Sequence, residues 1–267
     1  MEKIVSLQNS RIKQIGKLQT KARERKNANL FVIEGAREIS LALEGGYLFE
    51  SVFVCPELSS RSDYPALLKQ IPEQIQFEVS EAVFEKIAYR EGSDGLLALT
   101  RPESHHLSDL KLPSNPFIII LEAVEKPGNL GAILRTADAS QANAVIVCDP
   151  LTDIYNPNVV RSSVGCLFTV PIAVCSNEEA LEFMKCRNIK TFAAELNAAQ
   201  WYHETDFTTP SAIIMGTEAD GLTDFWLKKA NARIKIPMRG IIDSLNVSVS
   251  TAVITFEAMR QRGFSST

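Results

Sequence analysis

The chain has 267 residues, 45% hydrophobic and 22% charged, which leaves room for one large or two ordinary domains and excludes wholesale disorder. No apolar run approaches the roughly 20 residues that span a bilayer, and Met1-Glu2-Lys3-Ile4-Val5-Ser6 has no signal-peptide core, so a cytoplasmic location is expected. The net charge of −4 weighs against a nucleic-acid partner, but residues 1–30 alone hold eight Lys or Arg against two Glu.

Ser10 is placed to cap a helix running to about Lys26, with Ile12, Ile15 and Leu18 at helical spacing. Around them stand Arg11, Lys13, Lys17, Lys21, Arg23, Arg25 and Lys26, an arm able to contact phosphates even in an acidic chain. A merely solvated basic helix would have the same composition. Residues 29–34 (NLFVIE) read as a strand, and Gly35 turns them into a helix over 36–43 that stops at Gly45-Gly46. Strands at 48–55 and 74–79 flank a helix near 64–70. Ser80 then caps a helix through Ala88, and 94–100 is a last strand. This alternation makes a small α/β domain of residues 1–101, followed by a polar, helix-breaking linker at 102–116.

The second domain, 117–267, begins with a continuous apolar strand at 117–124, the kind buried on both faces of a parallel sheet. A helix at 129–140, a strand at 144–148, a helix at 158–167 and a strand at 170–175 follow. Asn177 is placed to cap a helix at 178–187, with further strands at 190–196, 212–216 and 233–237. Such a sheet binds ligands beyond the carboxyl ends of its strands. The five cysteines, Cys55, Cys148, Cys166, Cys175 and Cys186, show no paired metal spacing, and His105, His106 and His203 join none of them, so reduced thiols and no metal are expected.

Three stretches stand out at strand ends. Asn129-Leu130-Gly131-Ala132-Ile133-Leu134-Arg135 opens a helix that is otherwise mostly apolar. Ile213-Ile214-Met215-Gly216-Thr217-Glu218-Ala219-Asp220-Gly221-Leu222 is a strand breaking into a glycine-bracketed acidic loop. Ile234-Lys235-Ile236-Pro237-Met238 is a strand stopped by proline, and Ser244-Leu245-Asn246-Val247-Ser248 opens the last helix with small polar residues. Glycine at 216 and 221 permits close approach of the main chain to a ligand, or simply a tight turn. Ser244 or Asn246 is a natural helix cap, and a lone Arg135 is a natural partner for a carboxylate.

In order and spacing these stretches resemble the motifs of the SpoU–TrmH family of RNA ribose 2′-O-methyltransferases, part of the knotted SPOUT class. Asn129, Gly131 and Arg135 fall on the first motif, and Gly216, Glu218, Gly221 and Leu222 on the second. Ile236, Pro237, Met238, Ser244, Leu245, Asn246 and Ser248 fall on the third. The resemblance implies S-adenosylmethionine as cofactor, an RNA substrate, a trefoil knot near the C-terminus, and a homodimer packed through the last helix, where Ala252, Val253, Phe256 and Met259 recur at helical spacing. It implies cofactor contacts at Gly216, Ile236 and Leu245, with Thr217 and Met238 beside them. It also gives Arg135 a grip on the phosphate next to the target ribose, and places Asn129, Glu218, Ser244 and Asn246 at catalytic positions. With a pKa above roughly 12, an arginine is a poor base, so Arg135 is expected to act electrostatically. LQNSRIKQI and NLFVIEGAREI resemble, less closely, the substrate-binding domain of many family members, which favours ribosomal over transfer RNA.

Two other readings compete. Gly128-Asn129-Leu130-Gly131 follows a strand as a dinucleotide-binding turn does, but the full G-x-G-x-x-G is missing and only Asp149 stands near the required acidic position. A non-catalytic RNA-binding protein retaining a dead transferase domain is the second, and the presence of Asn129, Arg135, Glu218 and Asn246 argues against it.

Overall fold

The computed structural model describes residues 1–59, 64–90, 92–217 and 220–264. They group into two compact units, Met1–Ser104 with Asp153–Thr169 and His105–Thr152 with Val170–Thr267. The units therefore depart from chain order. His105–Pro116, read from sequence as linker, belongs to the second unit: the His105 carbonyl accepts from the Val174 amide at 2.8 Å, and Leu110 is buried in the core. Residues 153–169, in the middle of the second sequence domain, belong with the first.

In the first unit β1 (Glu2–Ile4), β2 (Phe31–Glu34), β3 (Phe49–Val54), β4 (Gln76–Val79) and β5 (Leu96–Thr100) form a sheet in the order β1-β4-β3-β5-β2. β1 and β3 run parallel to β4, while β5 is antiparallel to both β3 and β2. Side chains alternate between faces along each strand. Val32, Phe53, Phe77, Leu97 and Leu99 face α1 (Ser10–Thr20) and α5 (Glu81–Ile87), which contribute Ile12, Ile15, Leu18, Val83, Phe84 and Ile87. Phe31, one residue from Val32, joins Tyr47, Tyr155 and Phe168 in an aromatic cluster, its ring 4.2 Å from that of Tyr155. Gly165, at φ +88°, lies so close to Leu41 that a Cβ there would overlap its side chain. α3 (Ala36–Glu44) and α4 (Tyr64–Leu68) belong to this unit as well.

The basic arm is two helices rather than one. Asn9, not Ser10, caps α1, its side chain accepting from the Arg11 amide at 2.9 Å. At the far end Lys21 is extended (φ −128°, ψ 113°), and α2 (Ala22–Ala28) starts afresh. Thr20 Oγ1 donates back to the Gly16 carbonyl at 2.9 Å, a local bond that competes with helix continuation. The break leaves the Leu18 carbonyl to be taken up by Arg25 Nη1 at 2.6 Å.

In the second unit β6 (Phe117–Glu122), β7 (Ala144–Cys148), β8 (Ile172–Cys175), β9 (Lys190–Ala194), β10 (Gln200–Trp201), β11 (Ser211–Met215) and β12 (Ala232–Lys235) form an all-parallel sheet in the order β10-β12-β9-β11-β6-β7-β8. The α/β class and the parallel sheet agree with the sequence. α6 (Pro127–Ser140) starts two residues before Asn129, with proline at its first position, where no backbone donor is needed. α7 (Pro157–Ser163) lies in the first unit. α8 (Asn177–Cys186) and α9 (Asp224–Lys229) cover the sheet face carrying Ile118, Ile120, Ala212 and Ile214, with Met184 and Trp226 at the centre. α10 (Val247–Gln261) packs along α6. The cap of α8 is Ser176, in a reciprocal pair with Glu179, which frees the Asn177 side chain for another task. No helix among the described residues is long and apolar enough to cross a membrane.

Candidate active site

β9, β11 and β12 are neighbours in the sheet, and their carboxyl ends open onto one cavity of about 550 Å³. Each strand enters its loop there because a glycine, a proline or a turn halts the ladder. Gly216, Thr217, Ile236, Met238, Ser244 and Leu245 all line this cavity, so the second and third motifs meet around one space. The walls mix apolar side chains, including Met215, Leu222 and Ile254, with polar ones such as Asn197, Thr217 and Ser250. The acidic groups Glu195, Asp220 and Asp243 stand at the lining. An adenosyl group with an aminoacyl tail fits such a lining: apolar surface for the purine, polar side chains for the ribose, carboxylates for a cationic end.

The 216–222 loop closes on itself. The Thr217 amide donates to the Gly221 carbonyl at 3.0 Å, the Gly221 amide returns a bond at 3.2 Å, and Thr217 Oγ1 accepts from the Asp220 amide at 3.0 Å. A Cβ on Gly216 would overlap the backbone of Gly221 and Leu222. Gly216 is thus required by its own loop, the tight-turn alternative that the sequence left open beside close approach to a ligand. Gly221 sits at φ +68° with open space around it, so its constraint is conformational. Glu218 lies outside the described residues.

A side-chain hydrogen bond links the first motif to the third. Asn246 caps α10, its Oδ1 accepting from the Ser248 amide at 2.9 Å and the Ser248 hydroxyl at 2.6 Å. That fixes the amide orientation, and its Nδ2 donates to Asn129 Oδ1 at 3.2 Å. Asn246 is therefore both a cap and a bridge. Ser244 donates to Asp243 at 3.0 Å. Arg135 does not line the cavity; it is exposed on α6, opposite the buried Leu130, Ile133 and Leu134, with no ion pair to a described residue. Of the basic arm, Lys13, Lys17, Lys21, Arg23 and Lys26 are exposed, and Arg11 lies over the Phe77 ring at 4.5 Å. Arg25 differs. It is 6% exposed, with Nε 2.6 Å from Asp153 and Nη1 on the Leu18 carbonyl, so it is removed from the set able to meet phosphate.

Several lining residues were not anticipated. Glu195, Leu196 and Asn197 follow β9, and the rule that ligands gather at strand carboxyl ends was the available signal. Lys235 lines the cavity with its ammonium 4.6 Å from the centre of the Trp201 ring. Beside β6, Cys148 and Cys175 end β7 and β8 in register; a hydrogen bond between them, then burial, pushes the Cys148 thiol far above its usual range and keeps it neutral.

Comparison with known proteins agrees with this geometry. The SpoU rRNA Methylase family model matches residues 116–256, and the MRM3-like substrate binding domain model matches residues 9–98. A relative from Bacillus subtilis (strain 168), 23S rRNA (guanosine(2553)-2′-O)-methyltransferase RlmP, is 28% identical over 256 residues, covering 96% of this chain and 98% of its own. A crystal structure of an RNA 2′-O ribose methyltransferase superposes with a TM-score of 0.84 at 37% identity, covering 97% of this chain and 99% of its own. The SpoU methyltransferase AviRb from Streptomyces viridochromogenes, in complex with the cofactor AdoMet, gives a TM-score of 0.87 at 26% identity, covering 96% and 100%.

Proposed function

This chain belongs to the SpoU rRNA methylase family, and we propose on that premise that it methylates a ribose 2′-hydroxyl of ribosomal RNA, using S-adenosylmethionine held in the cavity at the ends of β9, β11 and β12. The observation that carries the reading is the Asn246–Asn129 hydrogen bond, which ties the first motif to the third beside a cavity lined by the second and third. When bound, S-adenosylmethionine supplies an electrophilic methyl group on a cationic sulfur. The chain supplies position and charge. Gly216, Thr217, Ile236, Met238 and Leu245 hold the cofactor through main chain and apolar surface, which suits a ligand recognised by backbone polarity. Arg135, exposed and without an ion pair among the described residues, grips the phosphate beside the target ribose and stabilises charge on the attacking oxygen. Asn129, Asn246, Ser244 and Glu218 order the acceptor nucleotide around it.

The first unit captures RNA through Arg11, Lys13, Lys17, Lys21, Arg23 and Lys26. The threading of the C-terminal segment into a knot, a cytoplasmic location and a homodimer through α10 belong to the same reading. Val249 and Phe256, 48% and 41% exposed on α10, support the dimer, which sedimentation velocity at low micromolar concentration tests; a monomer there refutes it. The decisive assay for function is methyl transfer from labelled S-adenosylmethionine to bulk ribosomal and transfer RNA, with mapping of alkali-resistant ribose positions. Label in a 2′-O-methyl of ribosomal RNA is expected. Label confined to transfer RNA reassigns the substrate, and cofactor binding without transfer to either refutes the catalytic reading.

A further inference from the structure

We propose that Glu122, outside all three motifs and outside the cavity lining, is a positioning residue that holds the cofactor loop in its binding form. The inference rests on the cofactor reading above and goes beyond it to a residue with no contact to the ligand space.

Glu122 is the last residue of β6, one position beyond the Leu121–Met215 register pair with β11 and therefore level with Gly216. By alternation it shares the face of Ile118 and Ile120, under α8 and α9. It is 1% exposed, and a carboxylate buried there needs full compensation. Three donors provide it. Oε1 accepts from Thr223 Oγ1 at 2.6 Å and from Asn177 Nδ2 at 2.8 Å, and Oε2 accepts from the Thr223 amide at 2.8 Å. Thr223 follows Leu222 at the N-cap position of α9, its hydroxyl given to Glu122 rather than to the helix.

The loop is thus pinned at both ends. The Thr217–Gly221 pair closes its mouth, and Thr223 ties its foot to the sheet, with buried Leu222 between. The carboxylate is demanded by a chain of fixed donors. Trp226 Nε1, which only donates, bonds Asn177 Oδ1 at 2.6 Å. That bond aims the Asn177 amide nitrogen at Glu122, so the group at 122 must accept from every neighbour. A glutamine presents an NH₂ to one of these donors and leaves it unmatched.

The test compares Glu122→Gln, Thr223→Val and Thr223→Ser with wild type, measuring S-adenosylmethionine binding by calorimetry, single-turnover methylation at saturating cofactor, and melting curves. Wild-type binding is the control for the cofactor reading itself; its absence overturns that reading and this one together. In Glu122→Gln and Thr223→Val, affinity is expected to fall roughly tenfold, the weight of one hydrogen bond to a charged group. Turnover at saturation should stay close to wild type, and Thr223→Ser, which keeps the hydroxyl, should restore affinity. Folded Glu122→Gln and Thr223→Val proteins with lowered melting temperature but wild-type affinity overturn the proposal. So does a Thr223→Ser protein that binds as poorly as Thr223→Val.

Discussion

Replacing Gly216 by alanine tests whether the cofactor loop is shaped by its own backbone or by its ligand. The added methyl group overlaps the backbone of Gly221 and Leu222, which cannot swing aside as the end of a long side chain can. Relief requires the loop to open. Opening breaks the two Thr217–Gly221 bonds, at about 1 kcal/mol each, and unseats Leu222, whose burial contributes about 2 kcal/mol. With partial relaxation, the closed loop is destabilised by about 2–4 kcal/mol, a 30- to 1,000-fold loss of its weight against open forms. Calorimetry with S-adenosylmethionine and hydrogen exchange at the Thr217 and Gly221 amides should report that loss together: faster exchange at both amides, and affinity falling with it. Gly221→Ala is the comparator. Its Cβ meets nothing, so only the left-handed backbone at φ +68° is penalised, by about 1–2 kcal/mol. A Gly216→Ala protein with wild-type exchange at both amides refutes the reasoning. Weakened binding in that same protein would mean that the glycine serves the ligand instead.

Arg135→Ala is expected to lower single-turnover methylation by about 10²–10³-fold while leaving the melting temperature and cofactor affinity unchanged, since the side chain is exposed on α6; Arg135→Lys keeps charge without the planar fork and should recover little. Near-wild-type turnover in folded Arg135→Ala removes it from catalysis. Neutralising Lys13, Lys17, Lys21 and Lys26 should weaken RNA binding and flatten its dependence on salt, with cofactor affinity untouched; an unaltered salt slope would make the arm ordinary surface. Arg25→Ala should do the reverse. It strands half-buried Asp153 and the Leu18 carbonyl, at about 1–3 kcal/mol, with no effect on the salt slope of whatever folded protein remains, and a flattened slope would return Arg25 to the RNA-contacting set.

The strands of the parallel sheet were legible because β6, β7 and β11 are unbroken apolar runs, buried on both faces and stopped by glycine or polar residues. Gly216, Ile236 and Leu245 were grouped by the family resemblance, and the fold brings all three to one cavity. β1 and β10 were not, at three and two residues, because so short a strand has no periodicity to read and exists only through its neighbour. Arg25 looked like every other cation in its stretch; its burial depends on Asp153, 128 residues away. Glu122 was hidden for the same reason, since nothing within the 117–124 stretch marks it until Thr223 and Asn177 are brought to it. Local pattern identifies elements, whereas the partners of buried charge come from topology.

The membership of residues 153–169 in the first unit has a consequence during synthesis. Translation delivers residues 1–104 first, with Phe31 and Tyr47 lacking Tyr155 and Phe168, and with Arg25 lacking its carboxylate. The ion pair needs about 50 further residues and the ring cluster about 65, delays of roughly 2–13 s at 5–20 residues per second. Throughout that interval the nascent chain carries a half-built aromatic face, and β6 and β7 of the second unit leave the ribosome before the first unit has its last pieces. The protein therefore cannot mature as a first bead followed by a second, and its N-terminal half is completed only by a segment drawn from the middle of its C-terminal half.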